Sequence, residues 1–201
     1  SLCDWSSDVC SSDLADLVQP IYSCILAQIA AERVVQADET RLNMHGDGSG
    51  KSRPGFMWTF LSHEHIAYVH SGGRSGEVPV AILGGTPGVL VVDAYSGYNQ
   101  VCTPTTRQRA GCLAHVRRKF FEARGSAEAA ADEAMALILD VYRVEMKARI
   151  DGILRTAAHR KLRQTVSRPA MDRFHSWLVE QKDRWPPRGP MGGAIQYALN
   201  Q

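Results

Sequence analysis

The chain has 201 residues, of which 44% are hydrophobic and 22% charged, as is usual for a globular protein with one core or a core plus a small helical domain. Unbroken apolar runs are shorter than the roughly 20 residues that span a bilayer. The sequence before Arg33 contains no basic residue, which argues against a secretory signal. Five scattered cysteines, an odd number, favour a reduced cytosolic protein over a disulfide framework.

Charge is unevenly distributed along the chain. Residues 1–102 contain 5 basic and 11 acidic side chains, a net charge of −6, whereas residues 103–201 contain 18 basic and 10 acidic ones, a net charge of +8. An acidic half that binds metal beside a basic half that binds phosphates is typical of nucleic-acid enzymes. Solvated helix faces with local Glu–Arg pairs would give the same totals, so charge alone leaves both interpretations open.

The N-terminal region divides into two parts. Residues 1–13 are rich in Ser and Asp, show no periodicity, and resemble a translated sequencing adapter, so we expect a non-native or disordered leader. Over residues 14–32 apolar side chains recur at helical spacing, which predicts an N-terminal helix with Pro20 in its first turn or at a kink.

Strand-like patterns follow this helix. Five short β-branched or apolar runs predict strands at Val34–Asp38, Phe56–Leu61, Ile66–His70, Val89–Asp93 and Arg109–Leu113. A turn-rich loop is predicted at His45–Lys51 and a short helix at Ser75–Leu83. The order of three strands, helix, strand, short helix and strand is that of a ribonuclease H-like mixed sheet, an α/β fold, although other α/β folds share this order.

After His115 the pattern becomes helical. Helices are predicted at Val116–Ala123, Ala127–Arg149 and Ala170–Lys182, with a Pro-rich breaker at Trp185–Pro190. We therefore expect a partial catalytic core over 33–124, an all-helical insertion over 125–190, and the start of a truncated helix over 191–201.

Two aspartates form the first candidate site. Asp38 and Asp93 each close a strand-like run. Carboxylates at the ends of neighbouring strands repel each other, and Mg²⁺ or Mn²⁺ relieves that repulsion because hard cations prefer carboxylate oxygens. Paired ions of this kind are a common device for phosphodiester chemistry. An Asp after a strand also serves as a turn or cap residue, and this interpretation stays open for each position.

A second candidate site lies at the junction between the last strand and the first long helix. Arg117, Arg118 and Lys119 occupy different sides of the predicted helix, where we expect one to contact a phosphate or the acidic centre. Cys112 and His115 have a spacing that permits zinc, but no second Cys/His pair follows. Before the short helix, Arg74 reaches either the metal site or a salt bridge within its loop.

Several segments together strongly resemble the DDE transposases of the bacterial insertion-sequence sixty-six family. The resemblance covers nearly everything from about Leu14 to Gln201. It includes single positions at Trp58, Arg74 and Leu83, and the segments Ala37–Thr40, Val92–Asn99, Gly111–Ala123, Val141–Glu145 and Ala194–Asn200. It is sharpest at Gly111–Ala123.

The resemblance implies a ribonuclease H-like catalytic domain in which two aspartates and a glutamate hold two Mg²⁺ or Mn²⁺ ions. Asp38 matches the first carboxylate and Asp93 the second. The third belongs to an Asn-Asn-x-x-Glu segment that this chain lacks, and Glu145 and Glu180 do not occur in that context. The chain is therefore expected to be an internal fragment, incomplete at its C-terminal end and without the family's N-terminal DNA-binding region.

The implied function is metal-dependent DNA strand cleavage and strand transfer in the intact enzyme, with transposon ends and target DNA as partners. We expect a homo-oligomer on DNA in the bacterial cytoplasm, associated with the nucleoid and not with a membrane. The fragment itself is predicted to be inactive. One alternative is a catalytically dead DNA-binding or assembly remnant, and another is a small metal-dependent nuclease that uses another carboxylate, such as Glu39.

Overall fold

A computed structural model describes residues 7–45 and 52–201. The described residues form two compact units, 1–111 and 112–201, which are treated separately below. The division falls between Gly111 and Cys112, whereas the sequence patterns placed it after residue 124. The predicted loop at His45–Lys51 lies almost entirely outside the described residues.

The first unit contains a five-stranded mixed sheet. Its helices are α1 (Ser7–Ala31) and α2 (Glu77–Leu83), and a 3-10 helix covers Ser96–Gln100. Its strands are β1 (Val34–His45), β2 (Ser52–Leu61), β3 (Ile66–Ser71), β4 (Gly88–Val92) and β5 (Arg107–Gly111). The strand order is β3-β2-β1-β4-β5, with β1, β2 and β3 antiparallel to one another, and β4 and β5 parallel to β1. The prediction of a mixed α/β fold is confirmed.

Helix α1 begins at Ser7, so it includes part of the predicted leader, and Pro20 lies inside it. Its segment Asp13–Ala31 has a mean hydropathy of 1.4 and is long and apolar enough to cross a membrane, which the count of unbroken apolar runs missed. Near the N-terminus this is weak support for a span, because signal sequences and the core helices of soluble proteins pass the same test.

The hydrophobic core of the first unit lies on one face of the sheet. Side chains from the strands, from both helices and from the 3-10 helix meet there: Ile29, Val35, Ala37, Trp58, Phe60, Ala67, Leu83, Leu90, Val92, Tyr98 and Val101. Because side chains alternate along a strand, the intervening positions of β1 point to the other face, where Val34 is 46% exposed. Asp38 belongs to this second, open face.

A buried arginine joins the elements of this unit. Arg107 of β5 is 0% exposed and donates to the main-chain oxygens of Ala30 and Glu32, at 2.7 and 3.2 Å, where α1 ends. Its Nε also donates to the hydroxyl of Thr86 at 2.9 Å. Burial lowers the pKa of the Arg107 guanidinium. This side chain satisfies carbonyl groups that a helix C-terminus leaves without partners within the helix.

The second unit consists of helices and the turns that connect them, with no strand among its described residues. Its helices are α3 (Leu113–Ile150), α4 (Ala157–Leu162), α5 (Arg168–Gln181) and α6 (Pro190–Leu199), and a π-helical turn, Arg163–Ser167, joins α4 to α5. The backbone of α3 breaks at Ala127, where φ is −156° and ψ is 57°. The break lies at the first residue of the second of the two helices predicted for this segment. Phe120, Phe174 and Trp177 form the aromatic centre of the core.

Candidate metal site at the end of the sheet

The two aspartates follow the paired segments of the parallel strands β1 and β4. Strand β1 pairs with β4 so that Val34, Val35 and Gln36 lie opposite Val89, Leu90 and Val91, a constant offset of 55 residues. Strand β4 ends at Val92, so Asp93 lies just past the paired segment, and the same offset of 55 residues relates it to Asp38. Neighbouring strands are about 4.8 Å apart, and opposed residues share a face of the sheet.

The two aspartates differ in their position along their strands. Asp93 follows the last residue of β4, as predicted, whereas β1 continues seven residues past Asp38 to His45. Strand β1 extends because its partner β2 pairs with it from Gln36 to His45, which a local pattern cannot reveal. Asp38 is thus a mid-strand residue on an exposed face, beside the point where β4 stops.

Local hydrogen bonds orient both carboxylates. Asp38 Oδ1 accepts from the amide of Glu39 at 3.0 Å, and Asp93 Oδ1 accepts from the amide of Tyr95 at 2.9 Å. The side chain of Asp93 is 21% exposed. Arg109 of β5 donates hydrogen bonds to two acceptors in the loop after β4, Asn99 Oδ1 at 2.6 Å and the main-chain oxygen of Asp93. The loop that carries the second aspartate is therefore anchored to β5.

A buried carboxylate lies beside this pair. The side chain of Glu39 is only 1% exposed, because alternation turns it to the covered face of the sheet. Its Oε1 accepts from Arg74 Nε at 2.7 Å and from Arg74 Nη2, and its Oε2 accepts from the Tyr98 hydroxyl. Burial, followed by the hydrogen bond to Glu39, raises the pKa of the Tyr98 phenol, and the charges of Asp93 and Asp38 add to the effect.

Arg74 reaches both acidic groups. It pairs with Glu39, and its Nη2 lies 3.9 Å from Asp93 Oδ2. Its guanidinium carbon lies 3.9 Å from the centroid of the Tyr95 ring. Burial acts to lower the pKa of Arg74, but the hydrogen bond and charge of Glu39, with the charge of Asp93, outweigh it and raise that pKa. Arg74 therefore makes a salt bridge and also borders the candidate metal site.

The sequence missed the role of Glu39, Tyr95 and Tyr98 at this site. The sequence did contain a signal for Glu39. Neighbouring residues of a strand point to opposite faces of the sheet, so if Asp38 faces solvent, Glu39 faces the core and needs a partner for its charge. Arg74 and Tyr98 are 35 and 59 residues from Glu39 along the chain, so the pairing follows only from the fold.

The two aspartates are of a type that suits a hard divalent cation, because such cations prefer carboxylate oxygens. In residues 7–45 and 52–201, no group of three or more His, Cys, Asp or Glu side chains is close enough to hold a metal ion. Asp38 and Asp93 thus remain a candidate pair of ligands, with no third acidic, His or Cys side chain clustered beside them in the described residues.

The three basic residues of the other candidate site lie at the start of α3, in the second unit. Arg117 is exposed. Arg118 Nε lies 3.9 Å and Lys119 Nζ 3.3 Å from the carboxylate of Glu122. Such exposed pairs contribute little to stability, so these cations remain usable by a polyanion.

Lys119 also borders a cavity of about 350 Å³ between α3 and the start of α6. Arg188, Glu122 and Tyr197 line it too, and Lys119 Nζ lies 5.9 Å from the centroid of the Tyr197 ring.

The candidate substitutes for a third carboxylate have other surroundings. Glu145 accepts from Arg163 Nε and Nη2 at 2.7 and 2.6 Å and lies 3.2 Å from His159 Nε2. The hydrogen bond to Arg163 is the main cause of the lowered pKa of Glu145. Glu180 is exposed on α5. Glu145 thus holds α3 to the segment that follows α4.

Comparison with known proteins assigns the chain to a family. The family model described as "Transposase IS66 family" matches residues 3–201, so the chain belongs to that family. The uncharacterized proteins y4qI, y4hP and y4jD of Sinorhizobium fredii (strain NBRC 101917 / NGR234) are 28%, 27% and 27% identical to it over 92%, 96% and 90% of this chain. The chain spans only 37–40% of the length of these relatives.

Proposed function

We propose that this chain is part of the catalytic domain of a DNA transposase, with a ribonuclease H-like sheet on which Asp38 and Asp93 bind Mg²⁺ or Mn²⁺. The observation that carries the proposal is the parallel pairing of β1 and β4, whose constant offset, extended by two residues, relates Asp38 to Asp93 in a member of a transposase family. The strand order β3-β2-β1-β4-β5, with three antiparallel and two parallel strands, supports the ribonuclease H-like assignment.

Asp38 and Asp93 would hold the metal, which would supply the activation of water or a 3′-hydroxyl and the charge stabilisation that cleavage of a DNA phosphodiester needs. Asp38 and Asp93 supply the ligand oxygens, and the anchored loop after β4 fixes the second of them. Arg74, Arg117, Arg118 and Lys119 are the proposed phosphate contacts, which position DNA without reading its sequence. The partners of the intact enzyme are transposon ends and target DNA, bound by a homo-oligomer in the bacterial cytoplasm at the nucleoid.

Metal binding tests this proposal directly. Asp38→Asn and Asp93→Asn should each weaken Mn²⁺ binding by at least about tenfold, since changes even outside the ligand set of a metal site typically cost 10- to 100-fold in affinity. Titration calorimetry, or the electron paramagnetic resonance signal of free Mn²⁺, measures the affinity. Asp16→Asn, an exposed change on α1, is the matched control and should leave it unchanged. Equal affinity in all three variants would refute the site.

Duplex DNA should bind this chain weakly and without sequence preference, because the half after residue 102 carries a net charge of +8. The logarithm of the affinity should fall with the logarithm of salt concentration by about 0.9 for each phosphate neutralised. Replacing Arg117, Arg118 and Lys119 together by alanine should flatten that slope. Fluorescence anisotropy of a labelled duplex measures both quantities, and salt-independent binding would contradict the expectation.

The same two experiments separate the alternatives. A catalytically dead DNA-binding or assembly remnant binds duplex DNA with the expected salt slope and shows no Mn²⁺ affinity that depends on Asp38 and Asp93. A small nuclease that uses Glu39 needs that carboxylate at the metal, but both Glu39 oxygens already accept hydrogen bonds from Arg74 and Tyr98. The geometry therefore favours the transposase proposal over the nuclease.

A further inference from the structure

The arrangement around Glu39 combines features that a simple surface salt bridge lacks. Its side chain is 1% exposed, whereas that of Arg74 is 42% exposed. A buried carboxylate is costly unless charged and hydrogen-bonding partners compensate it, and here Arg74 and Tyr98 together occupy both oxygens. Glu39 is therefore fixed in position, and Arg74 is held beside it with part of the arginine side chain exposed to solvent.

The guanidinium is fixed on several sides. Nε and Nη2 of Arg74 both donate to Glu39, and the ring of Tyr95 lies 3.9 Å from the guanidinium carbon. The Tyr95 hydroxyl in turn donates to the main-chain oxygen of Arg74 at 2.8 Å. A guanidinium has five N–H donors, so the fork to Glu39 leaves others for a further acceptor. Nη2 lies 3.9 Å from Asp93, so that acceptor would lie beside a proposed metal ligand.

An arginine held in this way suits one type of ligand. A planar guanidinium matches two oxygens of a phosphate group, and an arginine fixed in advance loses little side-chain entropy on binding. The ring of Tyr98 packs against the rings of Trp58 and Tyr95, with centroid distances of 5.9 and 5.8 Å. These aromatic contacts set the position of the hydroxyl that holds Glu39.

We propose that Arg74 binds a DNA phosphate next to the metal held by Asp93, and that Glu39 and Tyr98 are positioning residues that fix its guanidinium for this contact. The inference rests on the proposed function, since it takes DNA as the ligand. It assigns Glu39 a task other than binding metal.

DNA binding separates positioning from simple charge effects because the two predict opposite signs. Glu39→Gln removes a negative charge, so a purely electrostatic role would tighten binding to a polyanion. Positioning predicts several-fold weaker binding instead, with the salt slope reduced by about 0.9 as one phosphate contact is lost. Tyr98→Phe leaves the net charge unchanged and should act in the same direction. Arg74→Lys keeps the charge but cannot form the fork, so it should weaken binding as Arg74→Ala does.

The measurement is anisotropy of a labelled duplex over a series of salt concentrations, with circular dichroism to verify folding. Combining Glu39→Gln with Arg74→Ala should cost no more than Arg74→Ala alone, because the two residues act as one unit. Glu64→Gln is the charge-matched control, at a side chain that is 67% exposed in the β2–β3 turn, and it should not weaken binding.

The possible outcomes are distinguishable. If the unaltered chain does not bind duplex DNA at low salt, the proposed function fails, and this inference fails with it. If the unaltered chain binds, but Glu39→Gln binds as tightly or more tightly, or Arg74→Lys binds as well as the original, the positioning role alone is overturned. The Arg74 side chain is 42% exposed, and lysine keeps its charge, so the Arg74→Lys comparison stands even if Glu39→Gln or Tyr98→Phe fails to fold.

Discussion

Replacing Arg107 by alanine should destabilise the first unit by about 3–5 kcal/mol, because several buried acceptors would lose their donor and a cavity would form. The side chain is 0% exposed and donates to the carbonyls of Ala30 and Glu32 and to Thr86. A loss of this size is a large share of the 5–15 kcal/mol that typically stabilises a domain. The expected result is a large decrease in the urea midpoint of the sheet unit.

Urea denaturation followed by circular dichroism measures this loss as a shift of the midpoint. Arg41→Ala, at an exposed position of β1, is the matched control and should shift the midpoint only slightly. A change for Arg107→Ala as small as that of the control would show that the buried hydrogen bonds are not required.

Supercoiled plasmid incubated with this chain and Mg²⁺ or Mn²⁺ should not be nicked above background. Two carboxylates can recruit a metal ion, but two-metal phosphodiester chemistry needs further ligands to hold the second ion and place the nucleophile. In the described part of the chain no third acidic, His or Cys side chain joins Asp38 and Asp93 in a cluster, and Glu39 is bound to Arg74 and Tyr98.

Gel electrophoresis of relaxed and supercoiled plasmid gives the readout, and Asp93→Ala is the control for contaminating nucleases. Nicking that requires the metal and disappears in Asp93→Ala would contradict the expectation. It would mean that a carboxylate within these 201 residues completes the site. Nicking that persists in Asp93→Ala comes from a contaminant.

Local sequence patterns predict the elements whose type is determined by a short run of neighbouring residues. The strand at Val89–Asp93 was predicted within one residue, because an apolar run between glycine and aspartate specifies a buried strand. The separation of two helices near Ala127 was also predicted. Strand β1 was predicted too short, since the polar residues after Asp38 are held in the strand by pairing with β2.

The candidate site divides in the same way. The two aspartates could be selected from sequence because each follows a strand-like run. The partners of Glu39 could not, because Arg74 and Tyr98 come from distant segments that only the folded sheet brings together. The hydrogen bonds of Arg107 could not be predicted for the same reason, since the acceptors at Ala30 and Glu32 are 77 and 75 residues away in sequence.

The break in α3 has a consequence for the electric field of that helix. A helix carries a partial positive charge at its N-terminus and a partial negative charge at its C-terminus, and an interruption creates one new end of each kind. Arg124 lies just before Ala127, at the new negative end, and Glu128 and Asp132 lie just after it, at the new positive end. Arg124 pairs with both acids, at 3.3 and 2.8 Å. The arginine thus compensates the new negative end and the two acids the new positive end, and their ion pairs bridge the break.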